Sequence, residues 1–355
     1  MPTVTFNNQN KFFFNSINSQ VEQYFKENNL KKTGNHKLYL KSIILIGVAV
    51  ATYGVLLTIH LHPLIAALLC CLLGFVQATI GFNVMHDANH GSYSERKWIN
   101  TTLGLTANVM GVNAGLWKQK HNIIHHTYTN IDGVDIDLNK APFLRMCYSQ
   151  KQLKQHRYQY IYCIPLYALT TLMMIFISEF ANYFKKKIQV NNLRKMKTGE
   201  HFVFWISKAF YIFFFIGLPI WVVGFTPAII GFVLMHLTMG LTLAVVFQLA
   251  HVVEATHFVD AQADAFRIED EWAIHQVQTT ADFAVNNKIV SWFTGGLNFQ
   301  IEHHLFPKIS HVHYPAIHKL VEEACQKFSI RYNNYPTMTA AILSHFRFMK
   351  QLGVQ

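Results

Sequence analysis

"SIILIGVAVATYGVLLTIHLHPLIAALLCCLLGFVQATIGFNVM", residues 42–85, contains no Asp, Glu, Lys or Arg. A helix needs about 20 apolar residues to cross the roughly 30 Å hydrocarbon core of a bilayer. This stretch holds two such runs, 42–59 and 64–85, parted by "HLHP" (60–63). Pro63 suits the first turn of a helix, where its missing N–H is no loss. The reading is a helical hairpin with a tight turn. A second pair of apolar runs, 204–225 and 228–250, meets at "GFTP" (224–227). Neither turn carries Lys or Arg, whereas "LKKTGNHKLYLK" (30–41) and "KKK" (185–187) precede the two pairs. An excess of Lys and Arg marks the cytoplasmic side, so both hairpins are expected to open toward the cytoplasm.

The bulk composition agrees. Of 355 residues, 51% are hydrophobic and 14% charged, against about 25% charged in soluble domains. The net charge of +11 then reads as a membrane protein obeying the positive-inside rule, with no nucleic-acid partner. The five cysteines include no CxxC pair, which argues against a zinc ribbon, an iron–sulfur centre or a disulfide framework. No signal peptide is expected, since the first long apolar run begins near Ile43.

Two further segments are apolar but mixed: 98–117, flanked by Trp98 and Trp117, and 160–180. If 160–180 crossed the bilayer, the Lys-rich stretch 185–198 would face outward. Segment 160–180 is therefore read as interfacial, and 98–117, rich in Gly, Ala, Thr and Asn, as interfacial or packed against the bundle. The expected fold is all-α and membrane-integral: four transmembrane helices in two hairpins, interfacial helices, and a cytoplasmic histidine-rich cap. The expected organisation is an N-terminal cytoplasmic arm, 1–40, and one membrane domain, 41–355. Its C-terminal region, 251–355, is cytoplasmic and carries a surface helix in "SHVHYPAIHKLVEEACQKF" (310–328).

Three histidine clusters stand out among twenty histidines: "HDANH" (His86, His90), "HNIIHH" (His121, His125, His126) and "QIEHH" (Gln300, His303, His304). His251 and His257 follow the last apolar run. Residues i and i+4 of a helix share one face, with Cβ atoms about 5–6 Å apart, close enough for two imidazoles to reach one ion. His86/His90 and His121/His125 have that spacing. Adjacent histidines point about 100° apart and are better placed to serve two ions. Seven cluster histidines and His251 are too many for one metal, so the arithmetic favours two. Imidazole suits several transition metals, and spacing alone does not choose among them. Asp87, Glu254, Glu302 and the run Asp132, Asp135, Asp137 lie near the clusters. They are candidates to orient ligating imidazoles; the Asp run reads equally well as a solvated turn around Gly133. His60 and His62 fall at the outer turn. His156, His201, His236, His311, His313, His318 and His345 are read as surface or packing residues, and His236 as the one ionisable group well inside a span.

HxxxH, HxxxHH and QxxHH, interleaved with two membrane hairpins, resemble the membrane fatty acid desaturases over residues 40–330. The resemblance implies an all-helical bundle holding two irons at its cytoplasmic end. It implies an oxidoreductase that uses O2 and two electrons to place a cis double bond in an acyl chain. The ligands it implies are His86, His90, His121, His125, His126, His303 and His304, with His251, or His257 in its place, as the extra histidine. Gln300, where the third box otherwise starts with histidine, resembles front-end desaturases, which act between an existing double bond and the carboxyl end. It leaves the number of nitrogen ligands open.

No HPGG haem motif is present, so electrons are expected from a separate ferredoxin or small cytochrome. The substrate is expected on CoA, a carrier protein or a glycerolipid, and the location is a bacterial inner membrane with both termini cytoplasmic. A hydroxylase on the same scaffold is the rival enzyme. A membrane metal transporter is the rival from another class; it would need polar residues along a path through the membrane. The small residues Gly104, Ala107, Gly111, Ala114 and Gly115 would either line an acyl tunnel or allow close packing.

Overall fold

The computed structural model of the chain describes residues 3–9, 11–188, 191–261 and 265–355. The described residues are mostly helical, with four short two-stranded pairings at the polar end. The sequence dictates the long helices directly. Helix α1 is Phe12–Glu27. Helix α2 (His36–Thr58) starts at Asn35, whose side chain accepts the Lys37 N–H. Helix α3 runs from Pro63 to His90 and stops at Gly91, whose φ of 79° a non-glycine residue rarely adopts. Its last third contains a π-turn, Gly81–Met85, directly before the first histidine pair. Helix α4 is Lys97–Gly104. Helix α5 spans 114–128 and contains a second π-turn, Gln119–His125, which holds His121 and His125.

Helix α6 is a bent pair, Lys154–Ala168 and Thr170–Lys185, broken by 61° at residue 169. Helices α7 (Thr198–Val223) and α8 (Phe225–His251) form the second hairpin, turning at Gly224. The polar end adds α9 (Trp272–Thr279), α10 (Gln300–Leu305), α11 (Tyr314–Lys327) and α12 (Met338–Val354). Helices α2, α3, α7 and α8 are each long and apolar enough to cross a membrane; α3 and α8 contain the expected runs 64–85 and 228–250, and α2 and α7 cover 42–59 and 204–225 to within one or two residues of their ends. Segment 98–117 is broken into short helices, and 160–180 lies within the bent pair. The boundary expected at residue 40 falls within α2.

In a bilayer the apolar surface gives no net drive for helix association, so close backbone packing carries it. Helices α3 and α8 meet at Gly74, where a Cβ would lie 2.1 Å from the Met235 carbonyl oxygen. Gly240 of α8 does the same for α6, with the Ala168 oxygen 2.3 Å from its virtual Cβ. Outward faces stay apolar: Ile43 and Val50 of α2, and Phe202, Phe213 and Trp221 of α7, are exposed. The small residues of 104–115 are packing residues here. A Cβ on Gly104 would strike the Asn89 side chain at 2.6 Å, and one on Gly111 would press Ile175 and Tyr211 at 3.0 Å.

One expectation is corrected. His236 is not alone inside the spans: Lys208 of α7 is buried as well. Its Nζ donates to Glu179 Oε2 at 2.6 Å, Gly111 O at 2.6 Å and Ile175 O at 3.1 Å, and Glu179 Oε1 accepts the Asn113 N–H at 2.8 Å. A charge survives in a low-dielectric setting only when paired and fully bonded, and this junction meets both conditions. It ties α6 and α7 to the segment that leads into α5. His236 is itself held between Thr171 and Tyr211.

The polar end is a cap with its own core. Phe13, Ile17, Val21 and Phe25 on one face of α1 pack with Ala273 and Val277 of α9, Ile301 and Leu305 of α10, and Ile317 and Val321 of α11. The N-terminal arm is thus seated in the C-terminal region.

Gly74→Val is expected to lower stability by about 1–3 kcal/mol through overpacking of the α3–α8 contact, read as a drop in thermal unfolding temperature in detergent. Gly54→Ala, which meets nothing within 4 Å, is the control.

Candidate metal centre

Four elements end at one place. His86 and His90 close α3, and His251 closes α8. α5 supplies His121, His125 and His126, and α10 supplies His303 and His304. The two hairpin turns lie at the opposite end of these helices. Ring centroids of His86 and His303 are 4.5 Å apart, those of His126 and His304 4.4 Å, and those of His125 and His251 4.7 Å. The imidazoles sort into a group of His86, His90, His121 and His303 and a group of His125, His251 and His304. His126, with His303 and His304, lies between them. His303 and His304 therefore face different groups, as their adjacency on a helix requires.

The nitrogens fit cations. Nε2 of His90, His125, His303 and His304, and Nδ1 of His126 and His251, are buried without a hydrogen-bond partner. Leaving a buried polar atom unpaired costs about 1–3 kcal/mol, and six in one place is not a packing accident. The Nε2 atoms of His86 and His126 each lie 3.2 Å from His121 Nε2, so three ring nitrogens face one another. Burial, reinforced by neighbouring imidazoles, holds His121, His126, His303 and His304 well below the ordinary histidine range. They are neutral at physiological pH, the state in which imidazole binds a metal.

A second layer fixes the rings from behind. Asp135 Oδ2 lies 3.1 Å from His125 Nδ1 and also accepts the Asn130 N–H at 3.0 Å. Burial disfavours charge on His125, yet the Asp135 carboxylate, its hydrogen bond and Asp137 together raise its pKa. Gln276 Oε1 lies 2.8 Å from His304 Nδ1 and accepts from Thr129 Oγ1 at 2.9 Å. The Tyr314 hydroxyl lies 3.1 Å from His303 Nδ1. With Nδ1 bonded outward, the opposite nitrogen of each ring is left facing the cluster. Asp87 Oδ1 is 3.9 Å from His86 Nδ1. Its other oxygen accepts from Ser310 Oγ at 2.7 Å and lies 3.0 Å from His311 Nδ1. Gln300 places its side-chain amide 2.8 Å from His251 Nε2.

Other candidates fall elsewhere. His257 is exposed, outside both groups. Glu254 pairs with Arg347 at 2.9 Å. Glu302 points away from the imidazoles into a cluster with Asp282, Tyr332 and His318. Burial and the neighbouring Asp282 push its pKa up to about 8. Asp132 accepts from Ser149 and Gln150, and Asp137 pairs with Lys120 at 2.6 Å.

Three participants were not expected. Gln276, Tyr314 and His311 sit behind the box histidines; for Gln276 the one visible signal is "HQVQTT" (275–280), a polar run in a buried segment. His311 was expected as a surface or packing residue; it is buried against Asp87 and Lys41.

Two outcomes follow from this geometry. An unfolded chain titrates its histidines near about 6.5, above the folded values of His121, His126, His303 and His304. Below that pH the unfolded state binds more protons. These four histidines therefore cost the metal-free protein nothing above pH 6.5 and lower its stability as pH falls beneath it, with His125, whose pKa is raised, acting in the opposite sense. Thermal unfolding between pH 8 and 5 reads this, and His126→Gln should flatten the slope. Separately, Gln276→Leu or Asp135→Asn should lower metal affinity by about 10–100-fold in chelator competition, while Glu254→Gln leaves it unchanged.

Residues 62–336 match the family model described as "Fatty acid desaturase". The chain is 36% identical over 344 residues, 96% of its length and 93% of the relative's, to an sn-1 linoleoyl-lipid 6-desaturase of Arthrospira platensis. It is 35% identical to a protein of the same name from Synechocystis sp., covering 97% of this chain and 96% of the relative. An acyl-lipid (8-3)-desaturase of Physcomitrium patens is 34% identical, with 98% and 72% covered. Matched by the family model over most of its length, with its histidine boxes drawn together at one end of the bundle, the chain belongs to the fatty acid desaturase family.

Proposed function

We propose that His86, His90, His121, His125, His126, His251, His303 and His304 hold two iron ions, and that the chain desaturates the acyl chain of a glycerolipid on the carboxyl side of an existing double bond. The observation that carries this reading is the set of six buried, partnerless imidazole nitrogens converging from four chain elements. The family is one of oxidoreductases. The relatives are named acyl-lipid desaturases, two of them for a linoleoyl lipid, which supports the lipid-linked substrate and the front-end position.

Iron bound there would supply the redox chemistry: one O2, two electrons and two protons, with two hydrogens taken from adjacent carbons, yield the double bond and two waters. This chain's residues hold the ions, exclude water and carry charge. Neutral imidazoles bind without a deprotonation step. The Asp135 carboxylate, buried behind His125, offsets part of the cationic charge. Trp117 stacks on His121 at 4.4 Å, and Phe247 lies 5.2 Å from His125. They wall the imidazoles with apolar surface, which limits side reactions of a strong oxidant with water. Gln300, on His251, occupies the position of a third-box ligand and sets how His251 is presented.

The Lys-rich ends of both hairpins support a cytoplasmic location for the boxes and both termini, in a bacterial inner membrane. A separate ferredoxin is the proposed electron donor.

The test is product analysis. Expressed with a ferredoxin and its reductase in a host fed linoleate, the protein should yield a lipid-linked acyl chain with one added double bond nearer the carboxyl end, located by mass spectrometry. His125→Ala should abolish it. A hydroxylated product, or an added bond on the methyl side, would overturn the reading.

A further inference from the structure

We propose that Trp272 is the port through which electrons reach the centre from a water-soluble donor, a one-electron iron–sulfur ferredoxin. This deepens the reading above and rests on it.

A donor that travels in water meets the cap, whereas most aromatic contacts to the box histidines come from elsewhere. Trp117 packs with the membrane-side core, Phe247 lies within α8, and Tyr314 is fully buried. Trp272 differs on both counts. It belongs to the cap core and is partly exposed. Its indole Nε1–H donates to the backbone carbonyl of His126 at 3.1 Å. His126 is the histidine that sits between the two imidazole groups. The route from a partly exposed π system to the middle of the cluster is thus one hydrogen bond followed by the covalent bonds of a single residue. Electron transfer weakens far less through bonded paths than through gaps, and this path contains none.

The indole is also fixed in place. Its backbone N–H donates to Asn8 Oδ1 at 3.2 Å, and Phe14 of α1 meets it edge-on at 5.9 Å. Phe14 is held in turn by Glu271, the neighbour of Trp272, which accepts its N–H at 2.7 Å. Four residues along α9, Gln276 grips His304. One short helix therefore carries both a surface aromatic and a support of the cluster. Each transfer would take one electron from the reduced iron–sulfur cluster, leaving it oxidised, and would hand it to an oxidised iron held by the box histidines, reducing that iron by one electron. No bond forms or breaks, and two transfers supply one turnover.

The experiment follows reoxidation of pre-reduced plant-type ferredoxin by the iron-loaded, substrate-free protein in nanodiscs, without O2, by stopped-flow absorbance. Reduced methyl viologen, a small diffusible donor, is run in parallel. Trp272→Leu should slow the ferredoxin reaction by about tenfold or more, equal to roughly 1.4 kcal/mol of barrier. It should leave iron content and the viologen reaction unchanged. Trp272→Phe, which keeps a π system but not the N–H, should recover part of the rate. An unaltered ferredoxin rate in Trp272→Leu would overturn the proposal. So would equal slowing with both donors, which would mark a packing role. If viologen does not reduce even the iron-loaded wild type, the iron-centre reading itself fails, an outcome distinct from the other two.

Discussion

Buried ring nitrogens with nothing to bond are the constraint on which this structure depends. A folded chain normally pairs such atoms or leaves them in water. Here four elements spend their ends bringing them together. Helices α3 and α8 deliver histidines at their last turns, α5 delivers two from a widened turn and His126 directly after it, and α10 delivers two that face different groups. The arrangement makes sense as a cage whose missing partners are cations. The neutrality of His121, His126, His303 and His304 follows from the same geometry, because burial and the neighbouring imidazoles hold all four down.

The cage is built from two kinds of physics. On the membrane side, placement rests on close backbone contact at Gly74 and Gly240 and on the Lys208–Glu179 junction. There hydrocarbon offers helices no reason to associate, and an unpaired charge would be costly. On the cap side, placement rests on ordinary apolar burial, with α1, α9, α10 and α11 sharing one core. The second-layer groups divide the same way. Asp87 leaves the end of a membrane helix to meet Ser310 and His311 of the cap, whereas Gln276 and Tyr314 act wholly within the cap. The box histidines lie on the seam between the halves.

Much of this was legible in the sequence because it is periodic or local. Residues 42–85 and 204–250 announce helices by length and by scarcity of charge, and His86/His90 announce a shared site by their spacing; His121 and His125 have the same spacing but, set in a π-turn, fall in different imidazole groups. The rest was hidden for physical reasons. Gln276 and Tyr314 are neutral side chains more than ten residues from any histidine they hold through a ring nitrogen, and no period links them. His311 resembled the other scattered histidines until folding set it against Asp87. Lys208 carried no signal in its apolar run because its partner, Glu179, lies on another helix. The π-turns left no mark either. The choice between His251 and His257 is a matter of one helix ending, which spacing does not resolve.

The seating of α1 against α11 has a consequence for how the protein is made. Synthesis proceeds from the N-terminus, and the first pair of histidines emerges with the first hairpin, while the third box and its supports come last. Until residues 300–328 have left the ribosome, α1 has no core to join and the imidazoles of the first two boxes lack a roof. The nascent chain therefore passes through a stage in which five box histidines stand open to the aqueous side. A metal ion bound by these boxes would have its unobstructed approach then, before the final helices fold down and close over the histidines.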